Sequence, residues 1–173
     1  GHPAAGPPNL STTLICWGTM RYFTREDVAA KAEEWLKREL GEVNRETVTR
    51  GILSLYGKDR TFSVPILTML TISGALAENA SSPGGWERVP QLPFELSLFP
   101  KKLYSMMNWQ VVSYALPALI TMGLVKHLKS PTGNPFLKWI RNRCIPGVLK
   151  YLEKLQPSTG GFLEAAPLTA FVT

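Results

Sequence analysis

From Asn9 to Gln156 one pattern keeps returning: a polar or proline start, apolar residues at every third or fourth position, then glycine or proline. A period near 3.6 residues puts such positions on one face of an α-helix, whereas a strand needs a period of two. Elements of this kind bury their apolar stripes by packing helix on helix. The expected fold class is therefore all-α. A chain of 173 residues is long enough for one real core, so residues 1–173 read as a single α-helical domain.

The segments follow from their caps and breakers. "PPNLSTTLICWGTMRYF" gives prolines, a cap at Asn9 or Ser11, and an apolar run to Phe23. In "TREDVAAKAEEWLKREL", Thr24 and Asp27 have capping-box spacing, and Val28, Ala32, Trp35, Leu36 and Leu40 form a stripe before Gly41. "NRETVTRGILSLYG" runs from a cap near Asn44 to a stop at Gly57. "KDRTFS" reads as a polar turn, and "VPILTMLTISGALAE" as a buried helix with Pro65 in its first turn.

Residues 109–125 form the most hydrophobic run, near the lower length limit for crossing a bilayer. Gln110, Ser113, Tyr114 and Pro117 interrupt it, so a buried core helix is the better reading. "NPFLKWIRNRC" starts a helix at Asn134 and Pro135. "GVLKYLEKLQ" reads as a further amphipathic helix, with Val148, Leu149, Leu152 and Leu155 on one side. Amphipathic helices that alternate with helices apolar all round predict an outer and an inner layer. Such layering gives an α/α barrel or toroid with a central cavity.

Residues 79–100, "NASSPGGWERVPQLPFELSLFP", break the rhythm with four prolines. Trp86, Val89, Leu92, Phe94, Leu96, Leu98 and Phe99 nevertheless make the segment apolar, which predicts an ordered irregular stretch packed over something.

Charge divides the chain. Residues 100–155 hold Lys101, Lys102, Lys126, Lys129, Lys138, Arg141, Arg143, Lys150 and Lys154 against one acid, Glu153. A stretch like this seeks an anionic partner, and an anionic membrane surface accounts for it better than nucleic acid, since no nucleic-acid reading motif accompanies it. Cys16 and Cys144 both lie among apolar residues and read as buried free thiols. Trp17, Trp35 and Trp139 read as packing residues. His2 and His127 are far apart in the sequence and do not pair with cysteine at metal-ligand spacing. No dinucleotide or Walker fingerprint is present either, so no metal and no cofactor are expected.

Three motifs carry a resemblance. "YLEKLQPSTGGF" is similar to the repeat of the squalene–hopene cyclase and oxidosqualene cyclase superfamily, in which a glutamine near a helix end precedes glycine and an aromatic. Protein prenyltransferase relatives share variants of it. Here Gln156 and Gly160 match, Gly161 fills the variable position, and Phe162 stands where tryptophan is usual. "VTRGILSLYG" resembles the cyclases' Thr-Arg helix, and "GWERVPQLPFELSLFP" their Trp-x-x-Val-Pro segment. "GPPNLSTTLICW" ahead of them and "NWQVVSYALPALI" after them fit the same order, apart from an insertion near residues 58–83, so the likeness spans roughly residues 6–125 plus the later repeat.

The resemblance implies an N-terminal β-domain fragment of a larger, two-barrel triterpene cyclase on a membrane surface. It implies a linear isoprenoid substrate such as squalene, and carbocation cyclisation as the chemistry. The family's acid motif, Asp-x-Asp-Asp, is absent; Asp27 and Asp59 are the chain's two aspartates. No catalytic residue is therefore assigned, and the chain alone is expected to be inactive and to need the Asp-bearing domain. Aromatic faces stabilise cations by ~0.5–2 kcal/mol each. Trp86 and Trp109 occupy positions where the family has tryptophan, so they are cavity candidates, with Phe94 and Tyr114 behind them. Gln156, Gly160, Gly161 and Phe162 would form a structural clamp between helices. A non-catalytic helical interaction or lipid-binding module that kept the fold is the alternative.

Overall fold

The computed structural model describes residues 8–77, 84–98 and 116–156. Among these the regular structure is entirely helical, with six α-helices and two short 3-10 turns. The chain divides into two compact units, with the boundary between Val89 and Pro90, inside the proline-rich segment.

The first unit contains α1 (Leu10–Tyr22), α2 (Glu26–Leu40), α3 (Arg45–Tyr56), α4 (Arg60–Ile72) and a 3-10 turn at Trp86–Arg88. Asn9 caps α1 by accepting from the Ser11 and Thr12 amides. Asn44 caps α3, with Thr47 as the reciprocal partner. Gly41 and Gly57 end α2 and α3 at positive φ, as the sequence predicts. Leu14, Trp17, Leu36, Val48, Ile52, Leu67 and Leu70 supply buried core.

Three sequence expectations fail here for local reasons. No capping box forms at Thr24 and Asp27. The Thr24 hydroxyl donates instead to the Phe23 carbonyl at 2.8 Å, and Arg25 pairs with Asp27 at 3.2 Å. The buried stripe of α2 is centred on Ala29 and Leu36, leaving Val28 exposed. "KDRTFS" is not a turn. Asp59 accepts from the Thr61 amide at 2.8 Å and starts α4 at Arg60, which puts Pro65 inside the helix. The cap at Asp59, six residues upstream, outcompetes proline's preference for the first turn.

The second unit contains a 3-10 turn at Phe94–Leu98, α5 (Leu116–Lys129) and α6 (Pro135–Leu155). Phe94, Ile120, Leu124, Val148 and Leu152 form its core. α5 is buried around most of its circumference, as expected, and is 14 residues long. No helix among the described residues is long and apolar enough to cross a membrane. Asn134 caps α6 and Pro135 opens it. The expected break between two helices near Gly147 is absent: α6 runs through Pro146 to Leu155. Val148 and Leu152 are buried in the core beyond the proline, and that burial outweighs the one backbone bond it removes. Leu149, expected on the buried side, is exposed.

Close approach explains one glycine. A Cβ on Gly123 would lie 2.8 Å from the Leu92 carbonyl oxygen. α5 can therefore meet the Gln91–Phe94 strand of chain only without a side chain there.

Candidate functional site

Trp86, the leading cavity candidate, sits half-buried in a turn fastened from both sides. Gly85 precedes it with φ 108° and lies against Leu76, where a Cβ would approach to 2.9 Å. Its neighbours are then tied to the first turn of α3. Glu87 meets Arg45 at 3.6 Å, and Arg88 meets Glu46 at 3.8 Å. Two stretches about forty residues apart in sequence are thus held together in reciprocal sense, acid to base and base to acid. Trp86 is positioned by this turn, and its ring is not consumed by the core.

Phe94 is placed differently. It is 2% exposed, packed among Ile120, Leu124, Val148 and Leu152, and its ring centroid is 5.6 Å from that of His127. Here it is a core side chain of the second unit. Trp109, Tyr114, Gly160, Gly161 and Phe162 lie outside the described residues. Gln156 is exposed and terminates α6, its backbone amide donating to the carbonyls of Leu152 and Glu153.

The structure also brings together side chains that sequence reasoning missed. Glu95 and Arg141 form an ion pair at 3.0 Å with side chains only 12% and 10% exposed. Gln91 donates to the carbonyls of Leu92 and Gly123 at 2.7 and 2.8 Å. His127 Nε2 and Asn142 Oδ1 lie 2.8 Å apart. These contacts tie the 3-10 turn and both helices of the second unit around Phe94. The available signal is an acid, Glu95, among the apolar residues of the proline-rich segment, and an arginine, Arg141, at helical spacing from Val148 and Leu152.

Arg141 thus leaves the surface-charge inventory, as does Lys126, which is 7% exposed and donates to the Ser130 carbonyl at 2.9 Å. Other assignments change too. Cys16 is exposed rather than buried, and Trp139 is 62% exposed rather than packed. Cys144 is half-buried; burial raises the pKa of its thiol, and the nearby Glu95 carboxylate adds to the effect. Both aspartates serve helix starts: Asp59 caps α4, and Asp27, held below the usual carboxylate range by Arg25, stands exposed in the first turn of α2.

Among the described residues no group of three or more His, Cys, Asp or Glu side chains could hold a metal ion. What the two sites offer is positioning: a half-buried indole on a fastened turn, and a packed, polar-braced core. Comparison with family models, curated proteins and solved structures gave no significant match.

Proposed function

We propose that this chain is the acid-less helical domain of a squalene–hopene-cyclase-like triterpene cyclase, built as a partial α/α barrel. It would help to enclose a linear isoprenoid while a second, Asp-bearing domain protonates the terminal alkene. Protonating an alkene needs a strong carboxylic acid in a water-excluded site. Asp59 is engaged as a cap and Asp27 is paired and exposed, so that acid has to come from elsewhere. Trp86 would face the cation with its ring, and Trp109 is the second aromatic on this reading. The chain meets its substrate as a peripheral protein at an anionic membrane surface.

One observation carries the reading. The helix that resembles the cyclases' Thr-Arg motif and the segment that resembles their Trp-x-x-Val-Pro motif are fastened to each other through Arg45–Glu87 and Arg88–Glu46. Arg45 and Glu46 stand just ahead of the motif at residues 48–57 on the same helix, so the pairing supports the reading by bringing that helix to the segment. Co-expression with an Asp-x-Asp-Asp-bearing cyclase domain is the test. The pair should convert squalene to polycyclic products, the chain alone should make none, and Trp86→Ala in the pair should lower the yield. An assembled pair that yields no cyclic product refutes the proposal.

The burial of Phe94 in the core favours a second reading, a non-catalytic helical interaction module. Titration with squalene separates the two: saturable binding speaks for the cyclase domain, and no binding for the module.

A further inference from the structure

α6 presents an unusual outward face. An α-helix advances about 100° per residue, so Phe136, Trp139, Arg143, Lys150 and Lys154 fall within one sector of about 60°. All five are exposed, while Arg141, Val148 and Leu152 face the opposite way into the unit. The first turn carries the aromatics. Phe136 is 66% and Trp139 62% exposed, stacked at 6.5 Å and 22°. Leu137 beside them is 39% exposed. Large apolar groups in this state lose hydration cost only when something covers them. The three cations follow along the helix, and Glu153 is the one acid in residues 116–156.

We propose that this face of α6 is an interfacial docking surface for an anionic bilayer. Phe136 and Trp139 enter the headgroup–acyl boundary, where amphipathic aromatic rings partition, and Arg143, Lys150 and Lys154 pair with lipid phosphates and carboxylates. Charge complementarity selects the partner: a line of cations with one neighbouring carboxylate fits a plane of anionic headgroups. Leu137 beside the stacked Phe–Trp tip favours lipid over nucleic acid, whose bases could stack on the rings but would leave the aliphatic side chain wet. The inference gives a place to the membrane contact in the reading above and does not depend on the cyclase chemistry.

The test is flotation of the full chain with phosphatidylcholine vesicles, with and without phosphatidylserine, and without isoprenoid. Binding should require phosphatidylserine and fall with salt. Arg143→Gln, Lys150→Gln and Lys154→Gln together should weaken it on the order of a hundredfold. A matched triple on exposed cations of the first unit, Lys31→Gln, Arg38→Gln and Lys58→Gln, should leave most of it. Brominated lipid should quench part of the tryptophan emission in the wild type and less in Trp139→Phe. Unchanged far-UV circular dichroism checks that each variant is folded.

Equal binding to neutral and anionic vesicles overturns the proposal. So does equal weakening by the two triples, or binding to an RNA oligonucleotide without binding to vesicles. Loss of squalene binding with flotation intact would fail the cyclase reading alone. Loss of flotation with cyclisation intact in detergent would fail this one alone.

Discussion

The proline-rich segment holds two 3-10 turns, and each is tied to a helix by carboxylate and guanidinium. At Trp86–Arg88 the ties are Arg45–Glu87 and Arg88–Glu46, with side chains between 31% and 69% exposed. At Phe94–Leu98 the tie is Arg141–Glu95, with both side chains near a tenth exposed. The chemistry is the same and the energetics are not. Exposed pairs contribute ~0–1 kcal/mol, because water already solvates both ions. A buried pair gains little over an apolar pair of the same shape, yet losing one partner strands a charge in a poor solvent. The first turn is guided by its ions, and the second depends on them.

The largest effect should therefore come from Arg141→Ala. Leaving Glu95 buried and unpaired should cost about 3–5 kcal/mol in urea unfolding of the chain. A loss below ~1 kcal/mol would place the pair with the exposed ones and break the contrast. The double replacement Glu95→Leu with Arg141→Met sharpens it, since removing both charges should recover most of the stability. Among the described residues Glu95 Oε2 is buried without a hydrogen-bond partner, so the pair is incompletely satisfied there, which favours that recovery.

A smaller effect is expected at Gly123, where the second turn's chain meets α5. Gly123→Ala would set a methyl 2.8 Å from the Leu92 carbonyl oxygen, a backbone atom that cannot rotate away. Overpacking of this kind costs ~1–3 kcal/mol. Hydrogen exchange at α5 amides should speed up with it, and an unchanged exchange rate would show that the segment yields at no cost.

The same contrast sorts what could be read in the sequence. Helix class, the caps at Asn44 and Asn134, a first cap narrowed to Asn9 or Ser11, and the stops at Gly41 and Gly57 are legible, because each depends on residues within a few positions of itself. The start of α4 is harder to read although its signal, Asp59, is also local: the cap and the proline's preference for a first turn conflict, and the cap wins. Arg141 and Lys126 read as surface charge because their burial is decided by elements elsewhere in the fold. Trp139 failed in the opposite direction. Aromatic residues on a helix read as core, and only packing shows that its sector of α6 faces out. For the candidate site, the motif singles out Trp86, whereas nothing local singles out the ionic pairs that hold its turn, which join residues some forty positions apart.

The smallest effect belongs to those pairs. Arg45→Ala and Arg88→Ala should each cost under ~1 kcal/mol, and raising salt should shrink the difference from wild type, because exposed charges are screened over about 10 Å at 0.1 M. The result expected for Arg141→Ala is the reverse, a loss that persists at high salt, since a pair about nine-tenths buried is screened much less. If the loss at Arg88 also survived high salt, its turn would be held by packing of the arginine stem rather than by charge. The swap Arg88→Glu with Glu46→Arg decides between these: it keeps the attraction and moves the stem, so stability near wild type assigns the tie to the ions.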